Sequence, residues 1–326
     1  MGGLLILMAY SKPYLTVEQQ RELLENRGMT IADTAKCEEY LQRIGYYRLS
    51  AYWFPFRQLG QRDDGTHFLQ DQFKQNTTFK NATDLYAFDK TLRLIVLDAI
   101  ERIEISVRTE FALAIGSIDQ LAHRDPGNFR RRFSQFRPPR TQSPYQEWLF
   151  KLDRKAKNSR EEFAEHFRTK YCGEFMPVWI AVELLDFSPL SIALSHFKHS
   201  EQQRVSQSYG NISFRLIQSW IRSLCNVRNI CAHHSRLWNK PLINQPAIPR
   251  AGEAPDLDHL ANAPDTNKRI YAALAIMQTL LKEINPRTKW ADRLKEHVAI
   301  FPSNAPNINL RDAGFPDDWD QLPLWN

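Results

Sequence analysis

The sequence predicts an all-α fold, and three observations carry that prediction. Only 12 of the 326 residues are glycine, and long stretches lack both glycine and proline. Apolar residues recur at three- and four-residue spacing, the period of one helix face. No strand-length alternation of apolar and polar residues is present, and no internal repeat. A composition of 43% hydrophobic and 25% charged residues excludes wholesale disorder. The length suits one large domain or two intimately packed ones.

Taken in order, Thr16-Val17-Glu18-Gln19 reads as a capping box that opens a helix ending near Gly28. A second helix runs from about Thr34 to Ile44 and halts at Gly45. The aromatic stretch Tyr46–Phe56 reads as core packing, and Gly60–Gly65 as a polar turn followed by irregular chain or a short hairpin up to Phe79. From Asp84 to Ile115 there is neither Gly nor Pro, and Leu85, Phe88, Leu92, Val96, Ala99, Ile103, Val107 and Phe111 form one apolar stripe. Asp98–Arg102 and Glu104–Arg108 add i,i+4 ion pairs on other faces. Met176-Pro177 starts a helix through about Asp186, with Pro177 suited to the first turn and Glu183 expected to pair with a buried arginine. Ser188-Pro189 starts the next helix. Another begins near Asn211 or Ser213 and reaches Ala232, and a last one covers about Asn267 to Glu283 before Pro286. The Pro-rich, mildly acidic chain after Phe301 is expected to wrap the surface as an irregular tail.

The apolar run Leu4–Met8 is too short for a membrane span and lacks the basic flank of a secretory signal, so it reads as a short strand, an arm or a remnant. Four cysteines, with no C-x-x-C pair, are too few to staple a chain of this length. Reduced thiols and a cytoplasmic location are the expectation. The formal net charge is +6, and it sits in one place. His123–Lys170 carries 13 Lys+Arg against 6 Asp+Glu, whereas the rest of the chain carries 30 against 31. This segment includes Arg130, Arg131, Arg132, Arg137, Arg140 and Lys155, interleaved with Phe129, Phe133, Phe136, Tyr145 and Trp148. Cations neutralise phosphates and aromatic faces stack on unpaired bases, so the segment reads either as an RNA-binding surface or as the solvated face of a loop and helix.

The residues with chemistry to offer lie in Cys225–Asn239. Arg228 falls on the stripe of Ile217, Ile221 and Leu224, where a cation must be paired or must face a cleft. Asn229 and His233 are helix neighbours, whereas Arg228 and His233 stand about 140° apart and converge through the reach of the arginine or across a partner chain. An imidazole can exchange a proton near neutral pH, and a guanidinium can fork onto phosphate oxygens. Arg228 as phosphate clamp, Asn229 as orienting amide and His233 as acid/base, with His234 in reserve, suit RNA cleavage by the 2′-hydroxyl without metal or cofactor. Two other readings stay open. In one, His233 only ends the helix while Arg228 sits in a core ion pair. In the other, the C-x5-C-x-H-H ligand types raise zinc, although their spacing matches no common zinc site.

Arg228-Asn229-Ile230-Cys231-Ala232-His233 resembles the HEPN ribonuclease motif. The blocks Gly45–Ser50, Asp98–Glu104, Met176–Trp179 and Arg228–Asn239 together make the chain resemble the abortive-infection (Abi, AbiD/AbiF-like) bacteriophage-resistance family. That resemblance implies a HEPN-like helical bundle with added N-terminal and peripheral helices, a homodimer, and RNA cleavage leaving a 2′,3′-cyclic phosphate. It also implies a toxin-like defence setting in which an RNA or protein antitoxin restrains activity. The alternatives are a non-catalytic RNA-binding protein and a protein-interaction sensor of infection. The expected organisation is a helical and aromatic region at 12–80, a core at 81–285 with a basic insertion at about 123–170, and an irregular tail at 286–326.

Overall fold

The computed structural model describes residues 13–136, 138–139, 141–261 and 265–326. Leu4–Met8, Arg137 and Arg140 lie outside the described residues. The fold is mostly helical: 14 α-helices and one two-stranded sheet occur among the described residues. No helix there is long and apolar enough to cross a membrane.

The chain divides into two compact units. The first is built from residues up to Phe88 and from Phe301–Asn309. Its helices are α1 (Val17–Asn26), α2 (Thr34–Ile44) and α3 (Tyr46–Trp53). The predicted capping box is present, with Thr16 Oγ1 accepting from Gln19 N at 3.2 Å and Gln19 Oε1 accepting from Thr16 N at 2.9 Å. Asp33 caps α2 through Lys36 N at 2.9 Å. Gly45 takes φ +92° between α2 and α3, a conformation costly for any residue with a Cβ. The aromatic stretch divides: Tyr52, Trp53 and Phe56 are core, whereas Tyr47 is 92% exposed and Phe54 is also exposed. Helical winding turns successive aromatics to different faces, so one face cannot bury them all. Strand β1 (Arg57–Gln61) pairs antiparallel with β2 (His67–Phe73), the short-hairpin alternative for this segment.

Helix α4 (Phe79–Gly116) begins five residues before Asp84 and contributes its residues from Asp89 onward to the second unit. All eight predicted stripe residues are buried. The second unit continues with α5 (Arg131–Ser134), α6 (Pro144–Asn158), α7 (Glu162–Lys170), α8 (Val178–Ala181), α9 (Phe187–Leu194), α10 (His199–Ser208), α11 (Phe214–Ala232), α12 (Asp258–Ala261), α13 (Ile270–Ile284) and α14 (Trp290–Ala299).

Three expectations are corrected here. The helix starting at Pro177 is only one turn, because Pro177 is its N-cap and a 3-10 turn, Val182–Leu184, ends it. Glu183 is exposed, and its carboxylate pairs with no buried arginine among the described residues. Arg108 instead pairs with Glu104 and donates to the Val182 and Leu185 carbonyls at 2.7 and 2.6 Å, filling the orphan acceptors of that broken helix. The chain after Pro286 is not irregular throughout, since α14 follows at once. In the tail Phe315 is buried, and 3-10 turns bury Trp319, Leu324 and Trp325. Trp319 and Trp325 pack edge to face at 5.0 Å, and Phe315 lies 4.9 Å from Tyr271 of α13. Aromatic burial thus outweighs the low helix propensity of this Pro-rich stretch.

Candidate active site

Helix α11 carries the motif. Its buried face is Ile217, Ile221, Leu224 and Val227, and Arg228 extends the same stripe while remaining 33% exposed. There its guanidinium meets Glu104 of α4, with Nη2 3.8 Å from Oε2, and donates from Nη1 to Asn229 Oδ1 at 3.2 Å. Glu104 is also the partner of Arg108, at 2.5 Å. One carboxylate therefore serves two guanidiniums, and Arg228 holds the longer and weaker contact. A cavity of about 570 Å³ opens beside it, walled by Leu97, Glu101, Glu104, Ile105, Arg108 and Arg228. The predicted pairing of Glu104 with Arg108 is present. Its second duty toward Arg228 joins residues on separate helices, which spacing does not reveal.

The end of α11 is shaped by backbone geometry. His233 is the C-cap, with its N–H bonded to the Asn229 carbonyl at 3.0 Å. His234 follows at φ +56°, its N–H reaching the Cys231 carbonyl at 2.9 Å, and Ser235 N reaches the Ile230 carbonyl at 3.0 Å. These two bonds and the left-handed residue are the Schellman arrangement, with histidine where glycine is usual. The chain beyond is pinned from α4. Fully buried Asp89 accepts from Leu237 N at 3.1 Å and Trp238 N at 2.7 Å and pairs with buried Arg93, which also donates to the Ser235 carbonyl at 3.4 Å. His233 and His234 are both exposed. Arg228 lines the cavity beside Glu104, and His233 is not among the residues lining it.

A second, polar cleft of about 540 Å³ lies on another face of α11. Arg222, Asn226 and Asn229 enter it from that helix, Arg130 and Arg132 from the basic segment, and His196 from the turn after α9. His196 stacks on Phe133 with ring centroids 4.4 Å apart. Burial, and then Arg132 and Arg130, hold its imidazole below the ordinary histidine pKa.

Arg130 and Arg132 of the basic segment thus line this cleft, Arg131 is exposed elsewhere, and Lys155 is tied to Asp186 at 2.6 Å. The interleaved aromatics are mostly unavailable to bases. Phe129, Phe133, Tyr145 and Trp148 are buried against one another and Phe197, whereas Phe136 is exposed. Their spacing serves a small core, with the cations pushed to its rim. Sequence reasoning does not single out Arg222 or His196, although Arg222, Asn226, Asn229 and His233 recur at helical spacing.

Burial pushes the Cys225 and Cys231 thiols up to about 12, so neither supplies a thiolate nucleophile at neutral pH. No group of three or more His, Cys, Asp or Glu side chains is placed to hold a metal ion among the described residues. What the arrangement offers is a guanidinium on a shared carboxylate, an adjoining amide, and an exposed imidazole on a pinned helix end. The family model described as Abi-like protein matches residues 39–239, a span containing every residue of both clefts except Asn244. No curated protein and no solved structure matches the chain.

Proposed function

The chain belongs to the Abi-like protein family, whose setting is abortive infection in phage defence, and from that premise we propose that it is a metal-independent endoribonuclease acting through Arg228, Asn229 and His233. His233 takes the proton of a ribose 2′-hydroxyl, the oxygen attacks the adjacent phosphorus, and the bond to the 5′-oxygen breaks as the His233 imidazolium returns that proton to it. The products are a 2′,3′-cyclic phosphate and a 5′-hydroxyl. Arg228 neutralises charge gathering on the phosphoryl oxygens, and Asn229 orients the group between them.

One observation supports this reading above the rest: Arg228 sits on an apolar stripe yet stays accessible and only loosely held by a carboxylate that Arg108 already occupies. A guanidinium so placed can exchange its partner for a phosphate at little cost. Because Arg228 and His233 stand about 140° apart around the helix, we place the productive site in a homodimer, in which one protomer's arginine serves with its partner's histidine. An RNA or protein antitoxin restrains the assembly. The test is incubation of purified wild-type, Arg228→Ala and His233→Ala proteins with total RNA in EDTA, followed by mapping of new ends. Wild type is expected to leave cyclic-phosphate ends, and either substitution to reduce cleavage by roughly 100-fold or more. Undiminished cleavage by both variants overturns the assignment. Salt-sensitive RNA binding without new ends favours the second reading, a non-catalytic RNA binder, which the polar cleft also supports.

A further inference from the structure

The polar cleft beside α11 has a charge imbalance that nothing among the described residues corrects. Several arginines of this unit meet carboxylates: Arg102 meets Asp98, Arg108 meets Glu104, and Arg124 meets Asp153. Among the described residues no carboxylate pairs with Arg130, Arg132 or Arg222, and none lines the cleft they share. Three guanidiniums converging on about 540 Å³ of polar space call for an anion with several oxygens. A second observation narrows its chemistry. Asn226 Oδ1 is buried and accepts no hydrogen bond, so the occupant must also bring a donor.

We infer that this cleft seats a segment of single-stranded RNA, with its phosphates on Arg130, Arg132 and Arg222 and a ribose 2′-hydroxyl donating to Asn226 Oδ1. The inference rests on reading the chain as a protein that acts on RNA. A sulfate meets the arginines but brings no donor for the amide oxygen. A DNA strand brings the phosphates and lacks the hydroxyl. The path has a direction as well. Arg222, Asn226, Asn229 and His233 follow one another at helical spacing, and Arg222 and Asn229 lie about 10 Å apart along the axis. A strand laid along this face is delivered to the proposed acid/base at the helix end. Ile192, exposed on the opposite wall, offers an apolar shelf for a base.

The experiment measures fluorescence anisotropy of the full chain with a labelled single-stranded RNA 16-mer and with the DNA of the same sequence, across a salt series. Cleavage of unlabelled RNA is followed separately. The paired substitution Arg130→Gln with Arg222→Gln changes only exposed side chains. It is expected to weaken RNA binding by roughly tenfold or more and to reduce the slope of log K against log salt by about 1.4, at about 0.7 for each phosphate no longer neutralised. Asn226→Ala is expected to bring RNA affinity toward that for DNA while leaving DNA affinity and the circular dichroism spectrum unchanged. Wild-type affinity and slope in the paired variant overturn the inference, as does equal wild-type affinity for RNA and DNA. If binding behaves as expected and wild type cuts nothing, the cleft stands and the ribonuclease reading falls. If wild type cuts RNA and the paired variant binds normally, the reverse holds.

Discussion

Replacing Asp89 with alanine is expected to be among the most damaging changes in the second unit, and its cost can be worked from contacts. The carboxylate is fully buried, accepts from the backbone N–H groups of Leu237 and Trp238, and neutralises buried Arg93. Alanine orphans two buried donors, at about 1–3 kcal/mol each when wholly unmet. It also leaves a buried cation without its anion, which costs about 3–5 kcal/mol for such pairs. These terms overlap, because Arg93 retains the Ser235 carbonyl, so about 4 kcal/mol is the expected total, a large share of the roughly 5–15 kcal/mol that holds a domain folded. Denaturant unfolding followed by tryptophan fluorescence reads the cost, and amide hydrogen exchange at Leu237 and Trp238 reads its location. Adding Arg93→Met to Asp89→Ala should recover about 1 kcal/mol or more, because the stranded charge is gone. A loss below about 1 kcal/mol for Asp89→Ala alone, with unchanged exchange at both amides, would refute the clamp.

Burial, and then Arg124, lower the pKa of His123 to about 4, from 6.5. The unfolded chain therefore binds a proton below pH 6.5 that the folded chain refuses until about pH 4, so stability falls as pH drops through that window, by up to about 3 kcal/mol. His123→Leu should flatten this decline in a pH series of unfolding midpoints. His234→Gly places glycine at φ +56° and is expected to raise stability by up to about 1 kcal/mol with RNA cleavage retained. Loss of cleavage in that variant would assign the chemistry to the His234 imidazole. Trp325→Ala empties an aromatic cluster next to Trp319 and Tyr271 and is expected to cost about 3–5 kcal/mol in thermal or denaturant unfolding.

Much of the helical framework is legible because it is written in local signals. The capping box at Thr16, the stripe from Leu85 to Phe111 and the extent of α11 each follow from neighbours a few residues apart. The failures share a cause, since each depends on partners distant in sequence. Pro177 reads as a helix start, yet the helix breaks after one turn and Arg108, about 70 residues earlier, bonds the freed carbonyls. The aromatics between Phe129 and Trp148 look like a stacking platform until Phe197 and Phe111 are seen to cover them. In the site, neither the exposure of His233 nor the accessibility of Arg228 follows from spacing. The convergence of Arg130 with Arg222 needs the fold as well.

Helix α11 has a consequence for how such a protein can change over time. Its one rotational phase sets Arg228 against α4 and Asn229 toward the polar cleft, about 100° apart around the axis. A single inserted or deleted residue upstream would spin both functions out of alignment together, so the helix is a poor place for variation in length. The opposite wall, supplied by Arg130, Arg132 and the end of α9, has no such coupling and can drift residue by residue. Diversity in what is gripped should accumulate there, while the axle itself stays fixed.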